Sequence, residues 1–526
     1  ETIIAAFLAM NPEKNKREGR PAWTAELEYV NGGLFAGTID APRFDAVAFR
    51  YLREACDLNW REINPDIFGS MIQSVAEPKQ RSELGMHYTS VPNIMKVIGP
   101  LFLDDLDAEI RKAWDRAKGL QQVLDRMSRI RVFDPACGSG NFLVVSYREL
   151  RARETRILRR LEELSGPGSL RMFSAIPISH FYGIEIADFA AETAKLALFI
   201  AEYQANASFA EVFGRRPAAL PLKDTAHIRR GDSLLTQWEE VCPHPSGEEE
   251  VFIVGNPPFL GKAQQDAAQK AGMDHVFKGK VKSYRAFDFV AAWFFKASIY
   301  LRGRNVRAAL VSTNSICQGA SAANLWPDIL TGGVEIGFAH RSFKWRNNAS
   351  ANAAVICVVV GLRNTSAAPK RIFEEEISAD ASNINAYLID GPTISVSSSS
   401  KSLSGLPLMK FGNMPGDGGH LIFSPSEAEA LRQDYPEVTP FLLRYMGSQE
   451  VTQGIERYCL WLPDNRRDEW SKIPPIEKCL AKVSEFRSES SRADTVEFAD
   501  YPNRFIFEAG KQQSHAILVP RVTSER

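Results

Sequence analysis

Cysteine and histidine are scarce in this sequence: its 526 residues hold seven of the first and eight of the second. Cys56, Cys137, Cys242, Cys317, Cys357, Cys459 and Cys479 are scattered, with no CxxC spacing and no histidine cluster near them. That pattern argues against a metal site and against a disulfide framework, and it fits a reducing cytoplasm. Long apolar runs are missing too. The longest are Val290–Leu301, broken by Lys296, and Ala353–Leu362. Both are too short to span a bilayer, so no membrane partner is expected, and the second reads as a buried valine-rich strand. No basic start, apolar stretch and small-residue cleavage site mark a signal peptide. Charge of one sign is not in excess either, with 63 basic and 64 acidic residues and a net charge of -1. This excludes nothing about nucleic acid, which responds to local positive charge rather than to the total. Arg148, Arg151, Arg156, Arg159 and Arg160 recur at roughly helical spacing, but Glu149, Glu154 and Glu162 interleave with them. We read them as a solvated helix face.

The length implies two or three domains. Up to about Leu84 no strand alternation is visible; the segment reads as mostly helical, with turns at Asn31-Gly32-Gly33 and Asn64-Pro65. From about Ile130 short apolar runs alternate with helical segments: Ile130–Phe133, Phe181–Ile184, Val251–Val254, Ala308–Val311 and Ala354–Val360. That alternation predicts an α/β domain with a mostly parallel sheet. Ile394–Gly405 is Ser-rich and reads as a linker. Beyond it, Ser424 starts a helix, with Pro425 at the first position and Glu427 completing a capping box. The expected division is 1–84, 85–395 and 396–526. The last part stops just after a strand-like segment at Leu518 and reads as incomplete.

Two loops carry chemistry. The first, Asp134-Pro135-Ala136-Cys137-Gly138-Ser139-Gly140-Asn141-Phe142, joins a strand to a helix. Gly138 and Gly140 allow a tight turn and close approach to a ligand, and ligands of open α/β sheets bind at this end of the strands. A dinucleotide fingerprint wants a third glycine where Leu143 stands. Asp134 would also repel a pyrophosphate, whereas it suits a cationic ligand such as an amino group. Glu185 ends the next strand, where a carboxylate can accept ribose hydroxyls. Asp232 ends another and can either accept an adenine amino group or cap a helix. The second loop, Gly255-Asn256-Pro257-Pro258-Phe259, follows the strand Val251–Val254. Its two prolines end the sheet in a stiff loop. The Asn256 side-chain oxygen and the Pro257 carbonyl can accept both protons of an amino group, and Phe259 offers a stacking face.

Asp-Pro-Ala-x-Gly-x-Gly resembles motif I of S-adenosylmethionine-dependent DNA methyltransferases, and Asn-Pro-Pro-Phe resembles motif IV of the amino methyltransferases that act on adenine N6. Gly85-Met86-His87-Tyr88-Thr89-Ser90 is similar to motif X of the gamma group. Ser312-Thr313-Asn314 looks like motif VI, and Phe343 to Asn348 looks like motifs VII–VIII. More narrowly, the chain resembles the MmeI-like (type IIL) restriction–modification family from about Glu26 onward. Asn31-Gly32-Gly33-Leu34-Phe35, Ile67-Phe68-Gly69-Ser70, Leu84–Asn93 and Pro520–Arg526 carry that likeness. The resemblance implies a Rossmann-like class I methyltransferase core of α/β fold, an N-terminal helical spacer and a C-terminal α+β target-recognition domain. It implies S-adenosylmethionine held by Tyr88, Thr89, Asp134, Ala136, Gly138, Gly140, Phe142, Glu185 and Asp232. It implies catalysis by Asn256, Pro257, Pro258 and Phe259 on an adenine flipped from double-stranded DNA, with Phe343 or Trp345 helping to hold the base. Such enzymes also carry a nuclease domain, expected here only in a longer parent chain. The formal nuclease match Pro65-Asp66, Glu77 and Lys79 falls in a helical-looking region and reads as coincidence.

Other readings are an RNA or protein-glutamine acceptor and a DNA-recognition module of a nuclease with a non-catalytic cofactor site. Motif X ahead of motif I opposes the first. The intact second loop opposes the other. A nicotinamide oxidoreductase ranks last.

Overall fold

A computed structural model describes residues 2–10, 19–27, 43–59, 89–166, 174–214, 226–345, 355–375, 377–396, 399, 404–405, 409–509 and 517–520. Two compact units divide the chain, Glu1–Ser398 and Ser399–Arg526. Tyr88 and the Pro65, Asp66, Glu77, Lys79 match lie outside the described residues. Described helices before residue 60 are α1 (Thr2–Met10), a 3-10 turn (Ala22–Glu26) and α2 (Ala46–Asp57), the last capped by the Asp45 carboxylate.

The first unit is built on one nine-stranded sheet. Its strands are β1 (Ile130–Asp134), β2 (Phe181–Glu185), β3 (His227–Arg230), β4 (Glu250–Gly255), β5 (Val306–Thr313), β6 (Val334–Trp345), β7 (Val355–Asn364), β8 (Lys370–Glu374) and β9 (Ile377–Ala381). Their order is β3-β2-β1-β4-β5-β7-β6-β8-β9. The first five run parallel; β7 pairs antiparallel with both β5 and β6, which turns the expected mostly parallel sheet mixed on one side. A parallel sheet needs cover on both faces, and the strands supply apolar side chains to both. Along β4, Phe252 and Val254 join one core, while Val251 and Ile253 join the other. The first core is closed by α3 (Val91–Ile98), α4 (Asp104–Ala113), α5 (Ala117–Met127), α6 (Asn141–Ser165) and α7 (Asp188–Phe213). The second is closed by α8 (Ala267–Phe277) and α9 (Ala291–Leu301). Strand order reverses at β1, between β2 and β4, so the carboxyl ends of β1 and β4 form the crevice where such sheets take ligands.

Of the arginine stripe of α6, Arg148, Arg156 and Arg159 are exposed as read from the sequence and Arg160 is partly so, whereas Arg151 departs from the solvated face. Arg151 and Glu154 are 3% and 1% exposed and pair at 2.9 Å. Arg151 also donates to Tyr147 Oη and Asn206 Oδ1, and Glu154 accepts from Ser174 Oγ at 2.8 Å. Arg153 and Arg156 both reach Asp107 of α4, at 2.6 and 2.7 Å. A 25-residue helix that packs on the sheet and on its neighbours turns some charged positions inward, where they persist only as hydrogen-bonded pairs.

The second unit holds a small antiparallel sheet in the order β10-β12-β11, from β10 (Ile422–Phe423), β11 (Leu442–Tyr445) and β12 (Arg457–Leu460). Helices α10 (Pro425–Asp434) and α11 (Pro474–Ser488) cover it over a core that includes Leu421, Val438, Leu460, Trp470, Ile476 and Phe505. The capping box read at Ser424 forms: the Glu427 amide donates to Ser424 Oγ at 3.3 Å, and the Ser424 amide donates to Glu427 at 2.8 Å. Arg487 of α11 is fully buried and donates to five backbone carbonyls, those of Pro415, Gly416, Phe498, Tyr501 and Arg504. No described helix is long and apolar enough to cross a membrane.

Candidate active site

The first loop leaves β1 at Asp134 and enters α6 at Asn141. Gly140 sits there with φ +83°, and a Cβ on it would lie 3.0 Å from Ala194 Cβ of α7, so the turn and the packing both require glycine. The loop is tied down from three sides. The Cys137 amide donates to the Ile184 carbonyl at 3.1 Å, the Gly138 amide to Glu185 Oε2 at 2.8 Å, and Trp293 Nε1 of α9 to the Pro135 carbonyl at 3.1 Å. Ala136 is partly buried against the second core, and the Phe142 side chain is 3% exposed in the first.

Asp134 is 1% exposed and accepts the Ala136 amide at 3.0 Å. Burial pushes its carboxyl up to about 8; the Ala136 N–H opposes this and the charge of Glu185 adds to it. Glu185 is also buried and raised, chiefly by desolvation, although its two oxygens accept the amides of Gly138 and Ala187 at 2.8 and 2.9 Å. Neither carboxylate has a lysine or arginine partner among the described residues. Two buried acids without a cation are a cost the fold carries, and a ligand with an ammonium group and hydroxyl donors would relieve it.

The Asp232 turn lies at the end of β3. Its Gly231 amide donates to the Glu185 carbonyl at 2.8 Å, which joins it to β2. Asp232 Oδ1 accepts the Leu234 amide at 2.8 Å within a turn rather than at the start of a helix, so the helix-cap alternative weighed in the sequence does not form. Lys296, which the sequence offered only as an interruption in an apolar run, supports this turn from below. Its ammonium donates to the carbonyls of Ser233, Leu234 and Thr236 at 2.7, 3.2 and 2.7 Å, and burial lowers it to about 8.

The second loop leaves β4 at Gly255. A Cβ there would stand 2.6 Å from Asp134 Oδ1, so only glycine lets the ends of β1 and β4 close on each other. The segment after Phe259 is pinned: Asp288 accepts the Leu260 amide at 2.9 Å, and Gln265 donates to the Leu260 carbonyl at 3.0 Å. Asn256 Nδ2 donates to Thr89 Oγ1 at 3.3 Å. Its Oδ1 is buried and has no hydrogen-bond partner among the described residues. A buried carbonyl left unpaired costs about 1–3 kcal/mol, so it marks a place for an external donor. Pro257 is buried, Pro258 is partly so, and Phe259 is half-buried against both cores. Phe343 of β6 packs on the first core, with the Lys96 ammonium 5.4 Å from its ring centre. The β6–β7 register shifts between His340 and Phe343, a bulge that re-aims the strand end. Trp345 ends β6, paired with Val355. Among the described residues no group of histidine, cysteine or carboxylate side chains is arranged to hold a metal.

Two loops at the reversal point of this sheet, one glycine-rich beside buried acids and one Asn-Pro-Pro-Phe, define the Rossmann-like class I methyltransferase fold. Residues 110–374 match the family model described as "MmeI, DNA-methyltransferase domain", and residues 390–526 match "MmeI, target recognition domain". The chain belongs to the MmeI family. It is 43% identical over 516 residues to "DNA methyltransferase A" of Bacillus subtilis (strain 168), covering 98% of this chain but 58% of that relative's length. A putative type II restriction enzyme and methyltransferase of Methanocaldococcus jannaschii is 30% identical over 236 residues, 36% of this chain and 20% of that one. Among solved structures, the type IIL restriction–modification enzyme MmeI in complex with DNA superposes with a TM-score of 0.82 at 37% identity, covering 97% of this chain and 68% of that one.

Proposed function

We propose that this chain is a site-specific DNA methyltransferase that transfers a methyl group from S-adenosylmethionine to N6 of a flipped adenine, as the modification part of a restriction–modification system. The observation that carries the reading is the buried, unpaired Oδ1 of Asn256 on a rigid Pro-Pro loop beside Asp134. Family membership and the methyltransferase and DNA named for the relatives support it.

S-adenosylmethionine, when bound, supplies a methyl already activated on a sulfonium. The residues here are left with positioning and electrostatics. Asn256 Oδ1 and the Pro257 carbonyl accept the two amino protons of adenine, which draws the nitrogen toward tetrahedral geometry and frees its lone pair. Phe259 stacks on the extruded base, Pro258 keeps the loop stiff, and Phe343 or Trp345 closes on the base from β6. On the cofactor side Asp134 takes the ammonium group, Glu185 the ribose hydroxyls and Asp232 the adenine amine. Tyr88, Thr89 and the turn Ala136–Phe142 with Gly138 and Gly140 enclose the rest. The unit from about residue 396 reads the target in double-stranded DNA, and residues before about 85 form a helical spacer from a nuclease domain of a longer parent chain. The expected compartment is the cytoplasm.

The test is transfer of tritium from labelled S-adenosylmethionine to unmethylated bacterial DNA, followed by nucleoside chromatography. Label in N6-methyladenine is the expected result. Label in RNA or protein only, or none in DNA with the cofactor bound, would overturn the reading.

A further inference from the structure

Thr89 and Asn256 are 167 residues apart, yet their side chains meet at 3.3 Å. We propose that Thr89 is a positioning residue for the transfer reaction, holding the Asn256 amide with its oxygen rather than its nitrogen free for the acceptor amino group. This rests on the role given to Asn256 above and goes beyond the cofactor contact that the sequence suggests for Thr89.

The two ends of a carboxamide are nearly equal in size, so packing does not choose between them. They differ in hydrogen-bond sense: the oxygen only accepts and the nitrogen only donates. An amino group presents two donors and needs the oxygen. A half-turn of the Asn256 side chain would set one NH2 against another and block the reaction without disturbing the fold. Something on the protein must therefore hold the nitrogen. A threonine hydroxyl can donate as well as accept; in this structure Thr89 Oγ1 accepts from Nδ2, and this leaves Oδ1 buried and unpaired among the described residues.

Thr89 is well placed for the task. It is 4% exposed and directly precedes Ser90, the N-cap of α3. The Asn93 and Ile94 amides both donate to the Ser90 carbonyl at 3.0 Å, which fixes the chain entering that helix. Ile94, Val97 and Ile98 anchor α3 in the first core with no exposed surface. The β-branch of threonine narrows the choice of χ1 further. Asn256 is held by β4 and the proline pair, so two independent elements set the two halves of one hydrogen bond.

Thr89→Val keeps the shape and removes the acceptor, and Thr89→Ser keeps the acceptor. We expect Thr89→Val to lower kcat about 10- to 100-fold, as small misplacements of reacting groups do, with KM for DNA within about twofold of the parent and a smaller loss in cofactor Kd from calorimetry than in kcat, since Thr89 also borders the cofactor. Thr89→Ser should recover most of the rate. Should Thr89→Val lower the melting temperature, Thr89→Ala carries the same comparison. Parent-level kcat in the valine variant, no rescue by serine, or a loss confined to cofactor Kd would overturn the proposal while leaving the methylation reading intact. A parent chain that binds cofactor but methylates no DNA would overturn both.

Discussion

Asp134 keeps its proton at neutral pH because burial raises its carboxyl from 3.8 to about 8. Between those values the folded chain holds a proton that the unfolded chain has released, so this group's contribution to stability falls as pH rises through that window. An ammonium group beside it reverses the balance by favouring the carboxylate. Binding of S-adenosylmethionine should therefore release protons near pH 7, and affinity should rise with pH toward about 8 and then level off. Calorimetry in two buffers of different ionisation enthalpy measures the release; zero release would contradict the assignment. Asp134→Asn should remove most of it and weaken binding by about 1–3 kcal/mol. Asn256→Ala should behave in the opposite way, abolishing transfer while cofactor affinity stays within about twofold of the parent, since the loop's effect is on positioning. Turnover near the parent rate would contradict its role.

At the scale of elements, the strands were legible because a buried parallel strand is a short apolar run with little else to be. Five of them start or end within two residues of the runs read from the sequence. Both loops stand at the strand ends where local pattern put them, since glycine and proline act locally. What was not legible depends on contacts remote in sequence: the Thr89–Asn256 bond, the burial of Arg151 with Glu154, and the antiparallel turn of β7 against β5. A helical arginine reads the same from sequence whether it faces water or a carboxylate on a neighbouring helix. Lys296 is the sharpest case, a charge in an apolar run whose three carbonyl acceptors lie about 60 residues upstream. Lys296→Met would leave those carbonyls without their donor. We expect a loss of about 2–4 kcal/mol in urea unfolding, together with weaker cofactor binding through the Asp232 turn. A variant as stable as the parent would show that water replaces the ammonium.

At the scale of the molecule, the two units each bury their own core, one around the nine-stranded sheet and one around Leu421, Val438, Trp470 and Phe505. Separate cores predict separate cooperativity, and scanning calorimetry should resolve two transitions. A single two-state peak would contradict that. The unfolding of the second unit should be governed by Arg487. Its guanidinium fastens the segment at Pro415 and Gly416 to the segment from Phe498 to Arg504, nearly ninety residues further on. One side chain thus acts as the clasp on a necklace, joining a segment near the start of the unit to one more than eighty residues later. For anyone exchanging this unit between relatives, the clasp sets the cutting points. A junction placed between residues 415 and 504 opens the clasp, and one placed between Met414 and Phe507 also breaks the backbone pairing of those two residues, so the cuts belong outside both.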